Sequence, residues 1–263
     1  MLLLAVCWPL DWMLPGRRTA YLFFPLWLGY ILVVDATVQH RTGTSLWAWS
    51  RRDFLLLFAA SAPVWWIFEL INRRTANWEY LGGNRFTPFQ YYALCTISFS
   101  TVMPAVFETG ELVRTFGWVE RFGYGRPVVE RRATRPGLLL LGLAMLTLAL
   151  TWPRIFYPFV WTSLVFILEP VNGWLGRPNL LRFLQAGNWR PVICLSVGAV
   201  ICGFFWEMWN YWSFPKWIYH TPGAQFLHLF EMPLLGYGGY IPFALELFEL
   251  LNLLAPRPPR LNL

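Results

Sequence analysis

The sequence predicts an all-α, polytopic membrane protein of 7–8 transmembrane helices, built from two tandem copies of one helical unit. Hydrophobic residues make up 57% of the 263 positions and charged residues only 13%, whereas soluble proteins average about 25% charged residues. Apolar windows of membrane-spanning length recur along the chain. One pattern of acidic, amide and aromatic residues also appears twice, at an offset of 138 or 139 residues.

The predicted spans are apolar stretches near the length that crosses a bilayer as a helix, roughly 17 to 25 residues. Seven windows are close to this length: residues 19–38, 54–71, 89–107, 137–152, 156–174, 191–209 and 226–254. The opening segment is a candidate eighth span, although it is short and contains Asp11. It lacks a basic start and a small-residue cleavage site, so we expect no cleaved signal peptide.

The excess of basic residues indicates orientation in a membrane rather than nucleic-acid binding. The formal net charge is +7, but the basic residues lie in connections between apolar windows, where the positive-inside rule accounts for them. If the opening segment spans, one side collects 14 of the 21 Lys and Arg. We therefore expect residues 114–135 in the cytoplasm, the chain in a prokaryotic cytoplasmic membrane, and no nucleic-acid partner.

The internal repeat is predicted from matched pairs of residues. Glu-x-x-Asn occurs at Glu69 and again at Glu207, an offset of 138 residues, and W-x-Y follows each occurrence. Further pairs at this offset or within a few residues of it are Asp35 with Glu169, Arg52 with Arg190, Pro104 with Pro242, Glu108 with Glu246, and Glu111 with Glu249. Self-similarity over such a period indicates a duplicated unit.

The duplication gives the expected domain organisation. We expect a first repeat over residues 1–125, a basic cytoplasmic loop over 126–135, a second repeat over 136–256 and a tail over 257–263. If each repeat holds four spans, both copies enter the membrane the same way round. A pseudo-twofold axis along the membrane normal then relates them, as in parallel-repeat membrane folds.

The chain gives little sign of a metal or cofactor. The four cysteines share no C-x-x-C spacing and fall singly inside apolar windows. His228 and Glu231 have a ligand-like i, i+3 spacing, but the equivalent positions in the first copy are Gln90 and Ala93. No Gly-rich nucleotide fingerprint is present. We expect no metal and no cofactor.

Acidic side chains inside apolar windows mark the candidate functional site. Nine of the 14 Asp and Glu lie within or at the ends of these windows, which contain no Lys or Arg. A charged side chain in hydrocarbon costs about 2.5 to 3.5 kcal/mol even on lenient scales. These acids should therefore be protonated, hydrogen-bonded or turned to a wet cavity. The candidate catalytic residues are Glu69, Glu207, Asn72, Asn210, Glu231, Glu246 and Glu108, with the two asparagines orienting Glu69 and Glu207.

The segments after the two Glu-x-x-Asn units are rich in aromatic residues. They either re-enter the membrane and line a pocket, or form an aromatic belt at the membrane interface. The Gly-Tyr-Gly-Gly stretch beginning at Gly236 predicts an interrupted helix beside a buried site. The candidate substrate-binding residues are Trp78, Tyr80, Trp217, Tyr219, His220, His228 and Tyr237.

This pattern resembles the integral-membrane carotenoid cyclases of the lycopene cyclase type, whose two helical units are fused or heterodimeric. The likeness lies in the Phe68-Glu69 pair with its W-x-Y, in "WE" at Trp206 with its W-x-Y, and in "LFEMPLL". Where that family has two acids after the proline, this chain has Leu234 and Leu235. The resemblance implies redox-neutral chemistry on a polyene, in which one acid protonates a double bond and another group removes a proton.

Three functions fit these observations. The first is an enzyme that uses intramembrane carboxylates for cyclase-like or isomerase-like proton transfer on a lipophilic isoprenoid or lipid. The second is a proton-coupled transporter of a small or lipophilic solute, since such proteins use duplicated halves and intramembrane acids. The third is a non-catalytic lipid-binding or assembly protein. The expected partners are the lipid bilayer and a lipophilic small molecule, and homo-oligomerisation stays open.

Overall fold

The computed structural model describes residues 1–16, 18–255, 261 and 263. Within these residues the chain is mostly helical, consistent with an integral membrane protein. Six helical segments are long and apolar enough to cross a bilayer: Thr19–Thr42, Arg51–Thr75, Thr134–Thr151, Pro153–Trp174, Arg190–Tyr211 and Leu234–Leu254. Most of the expected tail over residues 257–263 lies outside the described residues.

Twelve α-helices, four 3-10 helices and four short strands make up the regular structure of the described chain. The helices are α1 Leu2–Met13, α2 Thr19–Thr42, α3 Leu46–Trp49, α4 Arg51–Thr75, α5 Pro88–Phe99, α6 Val102–Arg114, α7 Thr134–Thr151, α8 Pro153–Phe156, α9 Val160–Trp174, α10 Leu180–Gln185, α11 Arg190–Tyr211 and α12 Tyr240–Leu254. The strands are β1 Trp78–Leu81, β2 Lys216–Tyr219, β3 His228–Leu229 and β4 Met232–Pro233. The strands correct the expectation of a purely helical chain.

The window predicted as one span over residues 89–107 is two helices, α5 and α6, with a break at Ser100 and Thr101. Pro104 explains the break, because a proline cannot donate to the carbonyl four residues earlier and its ring clashes with that carbonyl. Ser61 of α4 satisfies the interrupted backbone: its hydroxyl donates to the carbonyl of Phe99 and accepts from the amide of Met103. Neither helix alone reaches spanning length.

The last predicted window, residues 226–254, is also interrupted. It begins with the β3–β4 hairpin and continues as a 3-10 helix over Leu234–Gly239 before α12 starts. Because of these interruptions, and because α1 has only 12 residues, the described chain contains six helical segments of spanning length where 7–8 were expected.

We call residues 1–125 the first half and residues 136–255 the second half. In the first half α2 packs against α1 and α6, and α4 packs against α6. In the second half α9 packs against α7 and α12, and α11 packs against α12. The two halves meet mainly where α6 lies along α11. Matching positions in the chain therefore make matching helix contacts.

Aromatic rings cross between the halves in both directions. Trp27 of α2 lies against Trp206 of α11, with ring centroids 5.0 Å apart. Trp161 of α9 stacks on Phe68 of α4, with centroids 5.7 Å apart. Each half thus inserts a tryptophan from its α2 or α9 helix against the long helix of the other half, and the core is continuous across the junction.

Candidate functional site

The two W-x-Y segments form strands that pair with each other. β1 and β2 run antiparallel, with Trp78 opposite Tyr219 and Tyr80 opposite Trp217. Side chains two residues apart on a strand share one face, so each Trp and Tyr of a motif lies on the same side of the ribbon. In both pairs the Trp of one motif lies opposite the Tyr of the other, so the register is the same when the two motifs are interchanged. The ribbon joins the two halves at the ends of α4 and α11.

The two asparagines fix this ribbon rather than the carboxylates. Asn72 donates to the carbonyl of Trp78 at 2.8 Å and accepts from the amides of Asn77 and Trp78. Asn210 donates to the carbonyl of Trp217 at 2.7 Å and accepts from its amide at 2.9 Å. The expected role of Asn72 and Asn210 in orienting the glutamates is corrected, because their side chains bind the backbone that follows each helix.

Glu69 accepts hydrogen bonds from three side chains at a single oxygen. Its Oε1 lies 2.6 Å from the hydroxyl of Tyr80, 2.9 Å from the indole nitrogen of Trp65 and 3.0 Å from that of Trp78. Trp65 comes from α4 itself, one turn before Glu69, whereas the other two donors come from β1. The helix and the strand together therefore hold this carboxyl group in one orientation.

Glu207 is fully buried and has a different set of donors. The hydroxyls of Tyr219 and Tyr240 both donate to its Oε1 at 2.7 Å. The indole of Trp217 donates to the Tyr219 oxygen at 2.8 Å, next to the carboxyl group. The Oε2 atom of Glu207 has no hydrogen-bond partner among the described residues.

A cavity of about 540 Å³ lies between the two halves, within the range of pockets that hold small organic ligands. The donors to both carboxyl groups line it, and its walls are mostly aromatic and aliphatic. The aromatic lining includes Trp65, Trp78, Tyr80, Phe99, Trp161, Trp206, Trp217, Tyr219, Tyr240 and Phe243. Glu69 and Glu207 themselves are outside the lining, and each connects to the cavity through the side chains that donate to it.

The strand tyrosines keep their protons at neutral pH. Burial, and next the charge of Glu69, raises the pKa of Tyr80 well above its ordinary value. Burial, and next the charge of Glu207, raises the pKa of Tyr219 in the same direction. Both phenols therefore remain hydrogen-bond donors to the carboxyl groups.

Several of the predicted site residues lie away from the cavity. Glu231 forms an ion pair with Lys216, which lines the cavity. His220 lies 3.4 Å from Glu79 at an exposed position, and His228 is exposed in the β3–β4 hairpin. Tyr237 donates to the carbonyl of Leu229. Of the predicted substrate-binding residues, the four in the W-x-Y motifs line the cavity, whereas His220, His228 and Tyr237 are outside its lining.

The other predicted carboxylates, Glu246 and Glu108, are fully buried within the helices α12 and α6, outside the cavity lining. Glu246 accepts from the amide of Leu164 at 3.1 Å. Both carboxyl oxygens of Glu108 are without a hydrogen-bond partner among the described residues.

Asp35 and Glu169, another pair of acids matched by the repeat, bind groups at the start of short helices. Asp35 accepts from the hydroxyl of Ser45 and the amide of Trp47 at the start of α3. Glu169 accepts from the amide of Leu180 at the start of α10 at 2.9 Å. Each carboxylate therefore satisfies backbone or capping groups at the N-terminus of a short helix.

Sequence reasoning missed Tyr240, Trp65 and Trp161. A signal for the first two was present in the repeat offset, which pairs Trp65 with Gly203 and Tyr240 with Val102. At one position the first half has the larger residue, Trp65, and the second half has Gly203. At the other position the second half has the larger residue, Tyr240, and the first half has Val102. Such an exchange indicates that two neighbouring side chains compensate for each other in space.

Comparison with known proteins gives no match: no protein family, no curated protein and no solved structure shows significant similarity to the chain. The chemistry of the site therefore rests on the residues described above. Those residues supply an apolar chamber, aromatic faces, and two carboxyl groups that reach the chamber through phenol and indole donors.

Proposed function

We propose that this chain is an integral membrane enzyme that transfers protons to and from a lipophilic isoprenoid substrate held in the cavity. The chemistry is cyclase-like or isomerase-like, as in the carotenoid cyclases that the sequence resembles. One observation carries the proposal: the hydrogen-bond donors of Glu69 and Glu207 line a single aromatic cavity between the halves. An apolar substrate there would lie within reach of two acid-linked phenol networks.

The cavity suits a carbocation pathway. A proton added to a carbon–carbon double bond forms one C–H bond and leaves a cation on the neighbouring carbon. Loss of a proton from another carbon then restores a double bond, so the product is an isomer and no oxidant or reductant is consumed. Indole and phenol rings attract a cation through their negative faces, by about 0.5 to 2 kcal/mol for each close contact. The aromatic lining offers several such faces.

We further propose that the two halves are tandem copies with the same orientation in the membrane. The exchange-invariant register of β1 and β2 and the reciprocal tryptophan contacts support this arrangement. If α1 and the α5–α6 pair each count as one crossing, the chain crosses eight times. The basic loop over residues 114–135 then lies in the cytoplasm of a prokaryotic cell.

The test is conversion of an acyclic polyene in heavy water. The protein is reconstituted into lipid nanodiscs with lycopene as the probe, and products are separated and weighed by mass spectrometry. We expect an isomer with the same number of carbon and hydrogen atoms, in which one hydrogen is replaced by deuterium. The added proton comes from the heavy water, and a different hydrogen leaves. Glu207→Gln should abolish the product, whereas the exposed-site control Tyr124→Phe should form it at the wild-type rate.

Two other outcomes would favour the alternative functions. Saturable binding of lycopene with no isomer formed would favour a lipid-binding protein. Movement of a lipophilic solute between vesicle populations that stops when the proton gradient is collapsed would favour a transporter. Either result, without a deuterated isomer, contradicts the proposed enzyme.

A further inference from the structure

The sites of Glu69 and Glu207 differ at two equivalent positions, and the change in side-chain size at one position compensates for the change at the other. In the first half Trp65 fills the space beside Glu69, and the position equivalent to Tyr240 is Val102. In the second half the position equivalent to Trp65 is Gly203, where an added Cβ would lie 2.4 Å from the ring of Tyr240. The ring of Tyr240 therefore occupies the room that the glycine leaves and brings its hydroxyl to Glu207.

The exchange changes the chemistry of the donors. Glu69 receives two indole N–H groups and one phenol, whereas Glu207 receives two phenols. An indole nitrogen is a donor only, while a phenol both donates and accepts. A phenol can therefore take a proton on one side as it gives one on the other, and an indole cannot. Both sites have a strand tyrosine, so the difference lies in the additional donor: the phenol of Tyr240 suits the site of Glu207 to moving protons, and the indole of Trp65 suits the site of Glu69 to holding a fixed carboxylate.

We propose that the two halves divide the work: Tyr240 exchanges protons between the substrate and Glu207, and Glu69 stabilises positive charge in the cavity. This assignment rests on the proposed function and deepens it. Tyr240 is the residue that contacts the substrate, and Glu207 acts through it. Glu69, held at Oε1 by three donors, provides a negative charge at the N–H edges of Trp65 and Trp78.

The proton step balances with these groups alone. The step starts from protonated Glu207, which donates to the phenol oxygen 2.7 Å away in place of the bond from Tyr240. Tyr240 then gives its hydroxyl proton to a double-bond carbon as Glu207 passes its own proton to the phenol oxygen. One C–H bond forms, the π bond breaks, and Glu207 is left as a carboxylate behind the phenol of Tyr240. In the reverse direction a C–H proton leaves to Tyr240, the phenol proton returns to Glu207, and a new double bond forms.

The role of Glu69 is tested by binding, without any turnover. Two probes of matched shape are compared in nanodiscs by tryptophan fluorescence: the cation dodecyltrimethylammonium and its neutral isostere 2,2-dimethyltetradecane, each corrected for partition into empty nanodiscs. We expect the wild-type protein to bind the cation at least tenfold more tightly. Glu69→Gln should remove this preference and leave the affinity for the neutral probe unchanged. Glu207→Gln should keep the preference within threefold.

The opposite pattern, with the preference lost in Glu207→Gln and kept in Glu69→Gln, would overturn the assignment, as would equal loss in both or no preference in the wild type. Because the neutral probe reports an intact cavity, a misfolded variant is recognised. The result does not depend on lycopene conversion, so it separates this inference from the proposed function.

The role of Tyr240 is tested by the heavy-water assay. We expect Tyr240→Phe to lower the rate of deuterium incorporation about a hundredfold with an unchanged KM, because the ring still fills the space at Gly203. It should also change the pH profile of the rate, because the carboxyl group of Glu207 no longer exchanges a proton with the substrate through the phenol. A wild-type protein that converts lycopene, paired with a Tyr240→Phe variant of equal rate and pH profile, would refute the relay and leave the proposed function standing.

Discussion

Gly198 of α11 lies directly against Gly110 of α6, so close that a Cβ at Gly198 would stand 2.7 Å from the backbone nitrogen of Gly110. Small residues at such a crossing let two helix backbones approach, which is the usual way that membrane helices associate. Beside this contact, the hydroxyl of Thr109 lies 2.9 Å from that of Tyr30 and 3.3 Å from the sulfur of Cys202. The junction of the halves therefore depends on backbone proximity.

Adding a side chain at this crossing should separate the helices. We expect Gly198→Ala to lower the free energy of unfolding by about 1 to 3 kcal/mol, the usual cost of overpacking. Gly137→Ala in α7 is the matched control, because a Cβ there meets nothing within 4 Å and alanine favours a helix by about 1 kcal/mol. Thermal unfolding in detergent measures both. Equal stability of the two variants would show that α6 and α11 do not pack this closely.

The asparagines give a second prediction, since they attach the ribbon to the long helices. Asn210→Ala removes both hydrogen bonds to the backbone of Trp217, and a buried backbone group left without a partner costs about 1 to 3 kcal/mol. Hydrogen exchange at the amide of Trp217 should accelerate, and unfolding should occur at lower temperature. The exposed Asn84→Ala should change neither. An unaltered rate of hydrogen exchange at Trp217 in Asn210→Ala would show that Asn210 does not attach the ribbon to α11.

The four cysteines provide a test of cavity occupancy. Cys95 lines the cavity and is half-buried, whereas the other three cysteines are buried. N-ethylmaleimide should therefore modify Cys95 first, and bound lycopene should slow this reaction at least tenfold. The labelled position is read by mass spectrometry, with Cys95→Ser as the control for residual labelling. Modification at the same rate with and without saturating lycopene would place the ligand elsewhere.

The W-x-Y motifs show why part of this site was readable from the sequence. The recurrence of Glu69 with its motif at Glu207 required only a comparison of the chain with itself, and both motifs do line one cavity. The i, i+3 spacing of Glu69 and Asn72 also suggested contact between them. Their positions at the end of α4 favour a different bond, because the free carbonyls and amides beyond a helix end compete for an amide side chain.

Other features depended on contacts that sequence spacing does not encode. Tyr240 reaches Glu207 only because Gly203, on a different helix, leaves room for its ring. The break at Ser100 was hidden by the continuous apolar character of its window, although Pro104 marked it locally. The ion pair of Glu231 with Lys216 joins a hairpin to a strand, and no helical or strand periodicity brings these two positions together.

The strand tyrosines predict how stability changes in alkali. The pKa of Tyr80 and of Tyr219 is raised in the folded protein above the ordinary value of about 10, so the folded state holds these protons more tightly than the unfolded state. Their contribution to stability is therefore fully present below about pH 10 and is lost as the pH rises further, by about 1.4 kcal/mol per pH unit for each tyrosine.

Removing both phenols should flatten this alkaline loss. We expect the variant with Tyr80→Phe and Tyr219→Phe to be less stable than wild type at pH 8, because two hydrogen bonds to carboxyl groups are lost, yet to lose less further stability by pH 11. The control carries Tyr21→Phe and Tyr124→Phe, at positions 64% and 91% exposed, and should follow the wild-type curve. Denaturant titrations across this pH range measure the slopes. Parallel curves for all three proteins would mean that the strand tyrosines titrate alike in the folded and unfolded states, which is incompatible with buried phenols bound to Glu69 and Glu207.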